Sequence, residues 1–252
     1  AEFGQPAAIA RNVEENFAQV RPFIERFVSA EQAREVERYQ LGFLERRVAL
    51  FTARAAAGRV RDGHGDLRLE HVYLQGEGSP RVIDCIEFND RFRYGDVCAD
   101  IAFLAMDLAW HGRVDLAELF VARYARASND FDLYAVLDFY VSYRAWVRAK
   151  VAGLLAADPE GPEATRTRAA SEARRYFLLA LAEGRPPLRA PRVIAIGGLI
   201  ATGKSTVAEA LEEAIFAPIV DADRTRKSLL GVAPTERVPS AAWTGAYGEE
   251  MT

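Results

Sequence analysis

Val60-Arg61-Asp62-Gly63-His64-Gly65-Asp66-Leu67-Arg68-Leu69-Glu70-His71-Val72-Tyr73-Leu74, followed after a short turn by Arg81-Val82-Ile83-Asp84-Cys85-Ile86-Glu87-Phe88, is the stretch that decides the fold. Apolar residues lead into a loop of glycines and charges. Two short β-like runs, Val72 to Gln75 and Val82 to Phe88, then flank Gly76-Glu77-Gly78-Ser79-Pro80, a turn by composition. The pattern predicts loop, hairpin, loop. Asp66 stands at the entrance of the hairpin and Asp84 within its second strand, so two carboxylates distant in sequence converge on one spot. Such a pair suits a metal ion and a proton acceptor.

Upstream, the chain reads as helix throughout. Ala1 to Pro6 reads as a disordered leader. Asn12-Val13-Glu14-Glu15 fits a capping box, after which Val13, Phe17, Val20, Ile24, Phe27 and Val28 recur at helical spacing, with Pro22 expected to kink or divide the helix. Ser29-x-x-Gln32 offers a second cap for one helix carrying Val36, Tyr39, Phe43, Val48 and Phe51 as far as Gly58. Downstream, helices are expected from Val97 to Trp110, along Leu116, Phe120, Val121 and Tyr124, from Phe131 to Ala156, and from Glu163 to Glu183. The stripe Tyr134, Phe139, Tyr140, Tyr143 and Trp146 reads as core, and Arg166, Arg168, Arg174 and Arg175 as a solvated face.

The chain has 252 residues, half of them hydrophobic and 27% charged, enough for one large domain or a medium and a small one. A formal net charge of −4 gives no overall basic field, which argues against nucleic-acid or anionic-membrane partners. Cys85 and Cys98 lie among apolar neighbours and read as buried reduced thiols, which points to a cytoplasmic setting. No stretch reads as a signal peptide, and the longest apolar run, Ile101 to Trp110, is broken by Asp107 and too short to span a bilayer.

Gly184 to Pro191 reads as a linker because clustered prolines block helix and sheet alike. Arg192 to Gly197 then reads as a strand, and Gly198-Leu199-Ile200-Ala201-Thr202-Gly203-Lys204-Ser205-Thr206 satisfies G-x-x-x-x-G-K-[ST] ahead of a helix from Ser205 to Ile215. Backbone N–H groups of such a loop wrap a β-phosphate, Lys204 reaches the β- and γ-phosphates, and Ser205 offers an oxygen to magnesium. Pro218 to Lys227 resembles the second strand of small-molecule kinases related to gluconate or shikimate kinases. That likeness makes Asp223 and Arg224 candidates for holding a phosphate acceptor; the other reading of Asp223 is a helix N-cap.

The pattern His64-x-Asp66-x-x-x-x-His71, with Asp84 on the following strand, resembles the catalytic segment of aminoglycoside phosphotransferases and other kinase-like small-molecule kinases. Tyr94-Gly95-Asp96-Val97-Cys98-Ala99-Asp100-Ile101-Ala102 is similar to the family's G-D-P-x-x-D-L-A segment. The resemblance implies that Asp66, beside His64 in the catalytic motif, is the base, that Asp84 holds magnesium, that Asp96 caps the following helix and that Asp100 braces the loop. His71 stands where the family has asparagine, and both a metal-ligand role and a loop-supporting hydrogen bond remain open for it. A kinase-like lobe followed by a Pro-rich linker and Ala201-Thr202-Gly203-Lys204-Ser205-Thr206 resembles the bifunctional aminoglycoside phosphotransferase/ATP-binding proteins, as does Asp84-Cys85-Ile86-Glu87-Phe88-Asn89-Asp90-Arg91.

The expected fold is mostly α with a small β-hairpin, as in a kinase-like carboxy-terminal lobe, plus a truncated α/β P-loop segment. Three parts follow: a helical lobe over residues 1–184 without an amino-terminal lobe, a linker over 185–191, and an incomplete nucleotide-binding domain over 192–252. The expected activity is ATP-dependent transfer of a phosphoryl group to the hydroxyl of an unidentified small molecule, with ATP or GTP and magnesium. The alternative is a nucleotide-binding or interaction module without turnover. Exposed edges of a truncated sheet suggest homo-oligomers.

Overall fold

The computed structural model describes residues 2–74, 76, 79–185, 192–232 and 236. The chain divides into two compact units, one formed by Ala1–Ala117 with Tyr134–Arg192, the other by Glu118–Leu133 with Val193–Thr252.

The first unit begins in ordered structure rather than a disordered leader. Glu2–Gly4 form a turn of 3-10 helix, the Phe3 ring lies 6.1 Å from that of Tyr94, and Gly4 is buried. Helix α1 spans Pro6–Val20 and opens at Gln5 with proline in its first turn, which places Asn12 and Glu15 mid-helix instead of in a capping box. Pro22 falls in a separate 3-10 turn. Ser29 does cap α2 (Ala30–Arg46): its hydroxyl accepts from Gln32 N–H while the Gln32 side chain accepts from Ser29 N–H. The single long helix expected up to Gly58 is broken at Arg47, and α3 occupies Val48–Ala56.

Four short strands follow. β1 (Val60–Asp62) pairs antiparallel with β4 (Tyr94–Asp96), and β2 (Val72–Tyr73) with β3 (Arg81–Val82), in the registers Val60 to Asp96 and Val72 to Val82. The hairpin is therefore shorter than expected, and Asp84 lies beyond its second strand rather than within it. Helix α4 (Asp90–Arg93) bridges the two sheets, and α5 (Val97–Trp110) departs directly from β4. Helix α6 (Val114–Ser128) leads out of this unit, and α7 (Tyr134–Ala157) and α8 (Glu163–Ala182) complete it.

Helix α7 is the spine, packing against α8, α5, α1 and α2. Trp146 is fully buried, with its ring 4.3 Å from Phe17 of α1 and 4.9 Å from Phe177 of α8. Phe139 meets Phe43 and Phe51, so the aromatic stripe is core, where burial of large rings contributes most. A buried polar relay crosses the same packing: Gln40 Nε2 donates to Ser142 Oγ at 3.0 Å, and that hydroxyl donates to the Ala180 carbonyl at 2.9 Å. Among the thiols, Cys98 is buried but Cys85 is exposed, contrary to the sequence expectation, because Cys85 sits in the open segment after β3.

In the second unit, α9 (Lys204–Ile215) and α10 (Ala222–Leu229) accompany the distal half of α6. Glu212 of α9 is 2% exposed and lies 3.5 Å from Arg123 and 3.8 Å from Arg126. Glu209 and Glu213 extend the charge ladder to the same two arginines. Residues 192–197 and 217–221 form no strand, so the expected α/β character is not present among the described residues of this unit, which are helical and irregular. Isolated extended segments cannot form a ladder without a partner. No sheet edge is present among the described residues of this unit. Most of the expected linker, 186–191, and the turn residues Gln75, Glu77 and Gly78 lie outside the described residues.

Arg54 of α3 and Asp96 are both about 2% exposed, and the guanidinium grips the carboxylate through two bonds of 2.7 and 2.8 Å. Arg54→Leu leaves Asp96 buried without its counter-charge, and we expect it to lower stability by about 3–5 kcal/mol, measured as a shift in the urea midpoint; an unchanged midpoint would contradict a structural role for the pair.

Candidate functional site

The segment from Gly63 to His71 is a loop held at many points. Gly63 is required because a Cβ there would meet Asp100 Oδ2 at 2.5 Å, and Gly65 because its φ is +80° and a Cβ would meet the Phe92 carbonyl at 2.8 Å. The side chain of Asp100, in the first turn of α5, accepts from His64 N–H at 2.7 Å and from Gly65 N–H at 2.9 Å. Arg144 of α7 stands behind it, 3.8 Å from Asp100 Oδ1, and donates to the Ala99 carbonyl. Asp96 caps α5 by accepting from Cys98 N–H at 2.9 Å.

The two histidines of the motif have distinct settings. His64 Nε2 lies 2.8 Å from the Ile83 carbonyl, which only accepts, so Nε2 carries the proton; Nδ1 then accepts from Asp66 N–H at 3.3 Å. Both ring nitrogens are engaged. Ile86 N–H donates to the His64 carbonyl at 2.9 Å, so His64 latches the Asp66 loop to the Asp84 segment. Asp84 itself has φ +63°, a left-handed conformation that aspartate adopts more readily than most residues.

His71 is 7% exposed and its Nδ1 lies 2.8 Å from the Asp66 carbonyl, so Nδ1–H donates there. Its Nε2 points outward, 3.4 Å from Asp84 Oδ2 and 3.6 Å from Glu70 Oε1, while Asp66 Oδ2 is 3.8 Å from Nδ1. Asp66 and Asp84 thus meet around one imidazole. The rings of His64 and His71 stack with centroids 5.7 Å apart. Asp84 is open, its side chain 78% exposed, whereas Asp66 is half-buried and held by both arms of Arg68 at 2.9 and 3.0 Å. Arg68 also pairs with Glu70. Burial pushes the Asp66 carboxyl up, but hydrogen bonding and charge from Arg68, with smaller help from His71 and Arg148, hold it below the ordinary carboxylate range.

Among the described residues no group of three or more His, Cys, Asp or Glu side chains is disposed to hold a metal ion. A cation here would draw on Asp84 and His71 together with oxygens brought by a ligand, since magnesium is commonly held by one or two carboxylates plus phosphates.

In the second unit the 198–206 loop leads into α9, with Ala201 and Gly203 left-handed. Lys204 Nζ turns back to donate to the Gly198 and Leu199 carbonyls at 2.9 and 2.5 Å, and Thr202 Oγ1 donates to the Leu199 carbonyl. Ser205 and Thr206 occupy the first turn of α9 and are exposed. The N-cap of α10 is Asp221, not Asp223, because it is Asp221 Oδ1 that accepts from Arg224 N–H at 2.8 Å. Asp223 pairs within its helix with Lys227 at 2.9 Å, and Arg224 reaches the Ala127 carbonyl at 3.4 Å.

The chain is 36% identical over 244 residues to proteins described only as uncharacterized from Mycobacterium bovis and two strains of Mycobacterium tuberculosis, a match covering 97% of this chain and 47% of each relative. It therefore spans about half the length of the curated relatives it matches. No family profile matches the sequence, and no solved structure matches it. No helix among the described residues is long and apolar enough to cross a membrane.

Sequence reasoning missed the grip of Arg68 on Asp66, although a basic residue two positions from a carboxylate was a visible signal. It also missed Asp107, 5% exposed, whose Oδ2 accepts from Leu69 N–H at 2.9 Å. Because the folded Asp66 titrates below its unfolded value, its contribution to stability is present at neutral pH and is lost as the pH falls from about 4 through the folded value. We expect Arg68→Gln to move the Asp66 titration upward, as followed by carboxyl carbon NMR; an unmoved titration would mean the ion pair does not set it.

Proposed function

We propose that this chain carries the catalytic loop of an ATP-dependent small-molecule phosphotransferase of the kinase-like type. What supports the reading above all is the meeting of Asp66 and Asp84 around the buried His71, in a loop whose amides Asp100 holds. Asp66 is the group that orients an acceptor hydroxyl and takes its proton. Its depressed pKa keeps it ionised at neutral pH, and in a loose phosphoryl-transfer transition state positioning matters more than basicity. His71 fixes the loop by donating Nδ1–H to the Asp66 carbonyl and turns Nε2 toward Asp84. The open Asp84 carboxylate fits a magnesium ion arriving with nucleotide phosphates, and such an ion would neutralise charge on the transferred group. The glycine loop before α9, with Lys204 and Ser205, is proposed as a separate nucleotide phosphate site, and Asp223 with Arg224 as acceptor contacts there.

A second reading, binding without turnover, is favoured by one observation: both oxygens of Asp66 are engaged by Arg68. A base so paired must be released before it accepts a proton. We expect ADP formation from ATP and magnesium with a panel of sugar, amino-sugar and polyol acceptors, and a fall of about 10²–10⁴-fold in Asp66→Asn. Lys204→Ala should weaken ATP binding at the P-loop while leaving the Asp66-dependent reaction in place. ATP binding without acceptor-dependent ADP formation in the wild type would overturn the transferase reading in favour of the second.

A further inference from the structure

Helix α5 is apolar over most of its length, yet it carries three carboxylates in strict register. From Asp96 at its N-cap, Asp100 follows after four residues and Asp107 after seven more. At about 100° per residue the three lie within about 40° of one another around the helix. Asp100 and Asp107 are two turns apart, about 10.5 Å along the axis. That face meets the catalytic loop. Asp100 takes the amides of His64 and Gly65 at the start of the loop, and Asp107 takes the amide of Leu69 at its end.

The chain between these anchors is short. From Gly65 to Leu69 there are four residue steps, which reach at most about 13–14 Å when extended. Arg68 is extended, with φ −134° and ψ 164°. The span bends at Gly65 and Asp66 and extends at Arg68, and it is held at both ends by one helix, with Asp66 and Arg68 between the two anchors. Asp107 also sits close enough to Arg68 to act on its charge. Asp107 is also engaged within its own helix, where its carbonyl accepts from His111 Nδ1 at 2.9 Å and its Oδ1 lies 3.8 Å from the same nitrogen.

We propose that Asp107 is a positioning residue for the transfer reaction: by holding the Leu69 amide it fixes the backbone from which Arg68 grips Asp66, and so sets the direction in which Asp66 faces an acceptor. This rests on the phosphotransferase reading. Asparagine at this position keeps an oxygen that accepts from Leu69 N–H, whereas alanine removes it.

The test compares wild type, Asp107→Ala and Asp107→Asn by three measurements on the whole protein: amide hydrogen exchange at Leu69 and Gly65, carboxyl carbon NMR titration of Asp66, and ADP formation with ATP and magnesium. The expected result for Asp107→Ala is faster exchange at Leu69 with Gly65 still protected, a displaced Asp66 titration, and kcat lowered by about 10²-fold with KM for ATP unchanged. Asp107→Asn should restore most of all three. Unchanged Asp66 titration and kcat in Asp107→Ala would overturn the proposal, as would equal losses in the two variants or exchange that rises at Gly65 and Leu69 alike, either of which marks general destabilisation. If the wild type forms no ADP, the transferase reading fails on its own, and exchange with the Asp66 titration alone then decides whether Asp107 positions the loop.

Discussion

The hydrogen bonds that the amides of His64 and Gly65 donate to the Asp100 carboxylate are the constraint on which the site depends. A loop with left-handed and extended residues satisfies few of its own backbone donors, and buried donors left unpaired cost about 1–3 kcal/mol each. A carboxylate on a buried helix solves this in one place, because charge-assisted bonds are stronger than neutral ones and the helix cannot shift without disturbing the core. The helix is itself secured. Asp96 caps its first turn while being gripped by Arg54, and Arg144 from α7 stands behind Asp100. Loop, helix and core are therefore one mechanical chain running from Trp146 and Phe139 outward to Asp66.

Asp66 and Asp84 are two carboxylates in unequal environments. Asp66 is half-buried and paired with Arg68, with His71 beside it; Asp84 is open and left-handed, fixed mainly through its neighbours, since Ile83 and Ile86 are bonded to His71 and His64. The phosphotransferase reading proposed above assigns proton acceptance to the half-buried, arginine-held group and a cation to the open one. His71 joins them through opposite ring nitrogens.

Much of this was legible in the sequence because it rests on local rules. Ser29-x-x-Gln32 announced the start of α2, the aromatic spacing of Phe139, Tyr140 and Trp146 announced core, and the glycines and charges around residues 63 to 66 announced a loop. Other features escaped for physical reasons. The pairing of β1 with β4 joins segments more than thirty residues apart and is only three residues long, too short to leave a period in the sequence. Helix α1 began earlier than its Asn12 signal because Pro6 at the first turn outweighs a cap in mid-sequence. The strand expected at Arg192 to Gly197 is apolar enough to be one, but a strand exists only with a partner. Asp107 looked like an interruption of an apolar helix, and its meaning required knowing which loop lies against that face.

The most direct measurement of whether α5 carries the loop is detection of scalar couplings across the hydrogen bonds by NMR, linking amide nitrogens to side-chain carboxyl carbons. Correlations from His64 and Gly65 nitrogens to the Asp100 carboxyl carbon, and from Leu69 nitrogen to that of Asp107, are the predicted result. Amides of these residues that couple to other carbonyls, or exchange freely with water, would contradict it.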